Sequence, residues 1–195
     1  GQFRGYRSEA GVAADSTVET FAAIRLAIDT PRWTGVPFYI RAGKRLPITA
    51  TEVRVTFRLP PRAVFDTASA RDADYVRFRL SPDISISFGA RVKVPGESMV
   101  GENVELLIRH VVGDEMTPYE RLLGDALRGD ATLFVREDAI EAAWRVVDPV
   151  LGHAIPIHEY EADTWGPAEA DQITRTDGGW HNLEATPSPG TMTTP

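Results

Sequence analysis

A basic constellation stands out in a chain that carries 28 Asp and Glu against 21 Lys and Arg. Arg41, Lys44 and Arg45 close one apolar run, Arg54 and Arg58 lie on the next, and Arg77 and Arg79 lie on a third. Cations on neighbouring strands repel one another unless something anionic sits among them. Two sources of negative charge fit the pattern. Either the arginines alternate with carboxylates such as Glu52 on a solvated sheet face, or they form a site for a phosphorylated small molecule. The residue pattern by itself leaves both open.

Other chemistries are excluded more sharply. Gly43-Lys44 is not a phosphate-binding P-loop, because Phe38 stands where that loop needs its first Gly and Arg45 where it needs Ser or Thr. No GxGxxG run occurs, and residues 96–101 lack the spacing of a nucleophile elbow. His110, His153, His158 and His181 show no i,i+4 pairing and no carboxylate at ligand spacing, so no metal is expected. Glu137-Asp138 suits the first turn of a helix. The chain has no cysteine, which removes disulfides and thiolate chemistry. A net charge of -7 without a Lys/Arg run argues against nucleic acid as a partner. No apolar run approaches the roughly 18 residues of a membrane span, and the first residues lack a signal-like apolar core. A soluble, cytoplasmic protein is expected.

The elements that must position these residues follow from periodicity. Residues 1–15 read as an extended leading loop. In residues 16–29, Ser16 and Glu19 have capping-box spacing, yet Val18, Ala22, Ile24, Leu26 and Ile28 fall on one period-2 face, which favours a strand. A short strand at 37–41 delivers the Gly43-Lys44 turn. Alternation then continues through Val53, Val55, Phe57 and Leu59, through Val76, Phe78 and Leu80, through Ile84, Ile86 and Phe88, through Val92 and Val94, and through Val104, Leu106 and Ile108. Thr117-Pro118-Tyr119-Glu120 predicts a capped helix that Gly129 ends. A second helix is expected over 137–147 and a shorter one from Pro167. Strands followed by helices predict an α+β fold, a large, mostly antiparallel β-sheet with helices packed on one face. The Pro/Thr-rich stretch 184–195 reads as a disordered tail.

Several segments in one order resemble glucose-6-phosphate dehydrogenases: GQFRGY at 1–6, DSTVETFAAIRLAID at 15–29, RWTGVPFYIRAGKRL at 32–46, TPYERLLGDALRGDATLFVRED at 117–138, EAAWRVVDPVL at 141–151 and WGPAEAD at 165–171. The resemblance covers residues 1–183 and implies that family's C-terminal domain. It implies an NADP-dependent enzyme that oxidises glucose 6-phosphate to 6-phosphogluconolactone, the first step of the pentose phosphate pathway. The Rossmann domain, the sugar-phosphate segment and the catalytic His are not in these residues, so the chain alone is expected to be inactive. The resemblance assigns Lys44 to substrate hydroxyls and places Thr49 where the family has a second basic residue. It matches Arg41, Arg54, Arg79, Asp125 and Trp180 to a structural NADP site. Ala50, Ser87, Gly89, Trp165 and Thr174 depart from that site, so tight binding of a structural NADP is not expected. A homodimer through the sheet is implied, using the face that mixes Arg with Glu. The alternatives are a non-catalytic assembly module and a stand-alone sugar-phosphate-binding protein on the same sheet.

Overall fold

The structure, a computed structural model, describes residues 5–59, 61, 73–96, 98–109, 116–152 and 155–184. The chain divides into two compact units, one of Gly1–Pro47 and Glu115–Asn182, the other of Ile48–Asp114 and Leu183–Pro195. Among the described residues there are six strands, all paired antiparallel, and two α-helices later in the chain. This is the α+β order expected from the sequence, with the strands divided between a two-stranded and a four-stranded sheet. The tail at 185–195 lies outside the described residues, as do His110 and His153.

The first unit contains the strand pair β1 (Phe21–Ala27) and β2 (Pro37–Gly43), with Phe21 opposite Gly43 and Ala23 opposite Arg41. Alternation won over the capping spacing at Ser16, whose hydroxyl instead accepts from the Val18 amide at 3.3 Å in a local turn. The helices are α1 (Pro118–Arg128) and α2 (Glu137–Val147). Thr117 and Glu120 form the expected capping box. The Thr117 amide donates to Glu120 Oε2 at 2.8 Å and the Glu120 amide to Thr117 Oγ1 at 3.3 Å. Gly129 ends the helix at φ +70°, a conformation that costs glycine little. The apolar stripe of α1 is nevertheless open, Leu127 being 90% exposed. The third helical segment is a 3-10 turn over Ala168–Ile173.

The second unit is a four-stranded meander, β3 (Thr51–Thr56), β4 (Tyr75–Ser81), β5 (Ser85–Lys93) and β6 (Gly101–Arg109), in sequential order. The runs at 84–88 and 92–94, separate in the sequence reading, are a single nine-residue strand, β5. Gly89 in its middle is required by packing, because a Cβ there would overlap the ring of Tyr75 on β4.

The two faces of this sheet reverse the expected burial. Val53, Val55, Phe78, Ile86, Phe88, Leu106 and Ile108 share one face by register and are exposed. The opposite face, with Glu52, Arg77, Arg79 and Ser87, is the covered one, Arg79 being 6% and Ser87 1% exposed. The long charged side chains pair across the strands and cover their own stems and the small residues beneath them. Among the described residues no helix is long and apolar enough to cross a membrane, and no cluster of three or more His, Asp or Glu side chains could hold a metal ion.

Candidate functional site

In the first unit, β2 ends in a turn that presents Lys44. The Lys44 side chain is exposed, and among the described residues its ammonium has no hydrogen-bond or ion-pair partner. Its backbone is held tightly. The Lys44 amide donates to the Thr20 carbonyl at 2.8 Å, and the Tyr160 hydroxyl donates to the Lys44 carbonyl at 2.8 Å, with the Thr20 carbonyl 3.2 Å away. Arg45 follows in the left-handed region at φ +52°, and its carbonyl accepts from the Asp163 amide at 2.8 Å. The Arg45 guanidinium lies 3.5 Å from the Asp163 carboxylate.

Three residues before Lys44, Arg41 is sandwiched between two indoles, its guanidinium carbon 4.7 Å from the Trp165 centroid and 4.8 Å from that of Trp180. Nη2 of Arg41 donates to Asn182 Oδ1 at 2.8 Å, and the Trp180 indole donates to the Ala170 carbonyl at 3.0 Å. Burial between the rings lowers the Arg41 pKa from its ordinary value, and Asp171 opposes that by attraction. The stack borders a recess of about 350 Å³ that Gly166 and Asp171 also line. The Tyr39 hydroxyl donates to Asp177, holding that carboxyl below its ordinary value. His158 lies 3.4 Å from Glu169, and among the described residues no third ligand joins them.

The second unit carries Thr49, exposed before β3, and most of the arginines singled out by sequence. Here the source of negative charge is internal. Glu52, whose side chain is 2% exposed, receives Arg79 Nε at 3.0 Å and Nη2 at 2.7 Å, and lies 4.0 Å from Arg77. Arg79 Nη1 donates to the Glu184 carbonyl at 3.0 Å. Arg77 also pairs with Glu105, which accepts from the Tyr75 hydroxyl as well. Burial pulls the Glu105 pKa up, but hydrogen bonds from Tyr75 and Ser87 and the charge of Arg77 more than offset it, and the carboxyl titrates below its ordinary value. Arg54 stacks on Tyr75 at 3.7 Å from the ring centroid. The face is a web of charge pairs, as in the carboxylate reading of the constellation, but it is covered where that reading has it solvated.

The comparisons with known proteins agree with the sequence motifs. The family model described as "Glucose-6-phosphate dehydrogenase, C-terminal domain" matches residues 1–181. The chain belongs to the glucose-6-phosphate dehydrogenase family. The glucose-6-phosphate 1-dehydrogenase of Aggregatibacter actinomycetemcomitans is 41% identical over 181 residues, covering 90% of this chain and 36% of that protein. Glucose-6-phosphate 1-dehydrogenase 1 of Mycobacterium tuberculosis is 39% identical over 186 residues, covering 93% and 39%. The crystal structure of the Mycobacterium avium glucose-6-phosphate 1-dehydrogenase superposes with a TM-score of 0.83 at 38% identity, over 95% of this chain and 40% of that one. A glucose-6-phosphate dehydrogenase in complex with its substrate glucose 6-phosphate superposes with a TM-score of 0.63 at 28% identity, over 88% and 38%. The chain thus spans about two fifths of the length of these relatives and is part of the family's C-terminal domain.

The residues that the sequence matches to a structural NADP site have neighbours within the protein. Arg79 uses Nε, Nη1 and Nη2 on Glu52 and Glu184, Arg54 lies against Tyr75, and Arg41 lies between two indoles. Asp125, also matched to that site, is buried and pairs with Arg128 on its own helix. At Arg79 a phosphate would have to displace the Glu52 carboxylate already hydrogen-bonded to it. The sequence motifs place Trp165 in the WGPAEAD run and among the departures from the structural NADP site, and they give no role to Tyr160 or Asp163. The signal available for them was the short run Tyr160 to Pro167, with aromatic residues beside Gly166-Pro167.

Proposed function

We propose that residues 1–183 serve as the substrate-side and dimerisation domain of an NADP-dependent glucose-6-phosphate 1-dehydrogenase. In this reading the enzyme oxidises glucose 6-phosphate to 6-phosphogluconolactone in the cytoplasm. The observation that carries it is Lys44, an ammonium with no partner among the described residues, held out on a fixed turn at the end of β2. Lys44 donates to sugar hydroxyls, and Thr49 contributes a neutral hydroxyl where a cation is expected. The base that takes the C1 hydroxyl proton and the nicotinamide that receives hydride are supplied outside these residues, so the 195-residue chain alone has no dehydrogenase activity. Exchange of the matching segment of the Mycobacterium avium relative for residues 1–183 tests this. The chimera is expected to reduce NADP when glucose 6-phosphate is added. A folded chimera without that activity would favour the assembly-module reading.

The same reading includes a homodimer through the sheet. Its support is the exposed apolar face of the four-stranded sheet, on which Phe88 is central and 41% exposed, since the face mixing Arg with Glu satisfies itself internally. An isologous contact buries one such face against its copy. Light scattering across a dilution series is expected to give twice 21.4 kDa, and Phe88→Asp to give the monomer. A monodisperse monomer of the unsubstituted chain at every concentration would count against the contact.

A further inference from the structure

Lys44 acts through its side chain, but its direction is set by a backbone that has few constraints of its own. The turn contains Arg45 in the left-handed region, where a residue with a Cβ is held only if its surroundings over-determine it. The carbonyls of the turn are held by one segment, Tyr160 to Gly166, and the Lys44 amide by the Thr20 carbonyl. Tyr160 occupies the carbonyl of Lys44, and Asp163 occupies the carbonyl of Arg45 through its amide and approaches the Arg45 guanidinium through its carboxylate. Both peptide planes that follow the Lys44 and Arg45 α-carbons are therefore fixed from the same side. Asp163 itself is left-handed, at φ +62°, a conformation Asp tolerates better than Arg does, so the strained residue that the contact holds is Arg45.

The packing beneath is equally specific. The Phe21 ring lies against the Tyr160 ring, 5.4 Å between centroids and tilted by 54°. A Cβ on Gly43 would come within 2.8 Å of Phe21, and one on Gly166 would overlap the same ring. Phe21 therefore seats the glycine that precedes Lys44 and the glycine that closes the Tyr160 segment, and it aims the Tyr160 hydroxyl at the turn.

We propose that Tyr160 and Asp163 are positioning residues that fix the Gly43-Lys44-Arg45 turn so that the Lys44 ammonium meets the sugar hydroxyls. The inference rests on the reading of Lys44 as a substrate residue. Tyr160→Phe deletes only the hydroxyl and keeps the ring packing, and Asp163→Val disfavours the left-handed backbone. In the full-length dehydrogenase that contains this segment, each is expected to lower kcat/KM for glucose 6-phosphate about 5- to 20-fold, the size of one lost hydrogen bond in a site. The KM for NADP is expected to stay within about twofold.

A double-mutant cycle separates positioning from general weakening of the fold. If Tyr160 acts through Lys44, adding Tyr160→Phe to Lys44→Ala produces no further fall. An equal fall in that background, or no fall in the single variant, would overturn the proposal while leaving Lys44 in its role. No effect of Lys44→Ala itself would overturn the functional reading and the proposal together. Amide hydrogen exchange on the 195-residue chain adds a measurement independent of activity. Tyr160→Phe is expected to speed exchange at Lys44 and Asp163, and unchanged protection there would overturn the proposal.

Discussion

Lys44→Ala in the full-length dehydrogenase is expected to lower kcat/KM for glucose 6-phosphate by about 30- to 1000-fold, the equivalent of about 2 to 4 kcal/mol lost in a charge-assisted hydrogen bond. The ammonium is exposed and solvated in the chain as described, so its value arises only when a sugar is seated and water leaves. The effect is therefore expected in substrate kinetics and not in stability. The melting temperature of the variant should match that of the unsubstituted protein, because among the described residues the ammonium has no hydrogen bond or ion pair to lose. Arg at this position is not a neutral exchange, since its planar fork cannot place one donor as a compact ammonium does. A change in kcat/KM of less than about threefold would take Lys44 out of the pocket.

The parts of this arrangement that sequence makes visible are local. Thr117, Pro118 and Glu120 specify the start of α1 because capping needs only residues three apart, and Gly129 marks its end for the same reason. Alternation along β3 to β6 is likewise local, and it sorts side chains into two faces. It cannot say which face is covered. That depends on register, which brings Glu52 opposite Arg79 and lets the charged face close over itself. The unity of β5 was hidden because Gly89 and Ala90 interrupt the apolar signal, and the reason for Gly89 is the ring of Tyr75, fourteen residues earlier on the neighbouring strand. The hold on Lys44 is less visible still. Tyr160 lies 116 residues away along the chain, and Arg45 is left-handed without the Gly, Asn or Asp that advertises such a turn.

The same dependence on register makes Glu52 the residue whose loss is expected to cost the second unit most. Glu52→Ala would strip the carboxylate from Arg79, 6% exposed, and from the half-buried Arg77, leaving cations that water reaches poorly. Removing one partner of a buried pair typically costs about 3 to 5 kcal/mol, because the remaining charge keeps its desolvation penalty and loses its compensation. Urea unfolding of the full chain is expected to show that loss as a lower midpoint at unchanged slope. Glu105 retains Arg77, and since its folded pKa is depressed, its contribution is complete above the ordinary carboxylate pKa and fades as pH falls through the lower folded value. Glu52→Ala should therefore leave a chain still further destabilised by acid. The decisive comparison is Glu52→Leu combined with Arg79→Met. If the penalty arises from an orphaned charge, the apolar pair restores most of the lost stability, because neither charge of the Arg79–Glu52 pair remains to be desolvated, Arg77 keeps Glu105, and the volume is refilled. If the double variant is as unstable as Glu52→Ala, the face depends on the specific hydrogen bonds from Arg79 to Glu52 and to the Glu184 carbonyl, and a single-variant loss below about 1 kcal/mol would show that neither charge pairing nor those bonds hold the sheet.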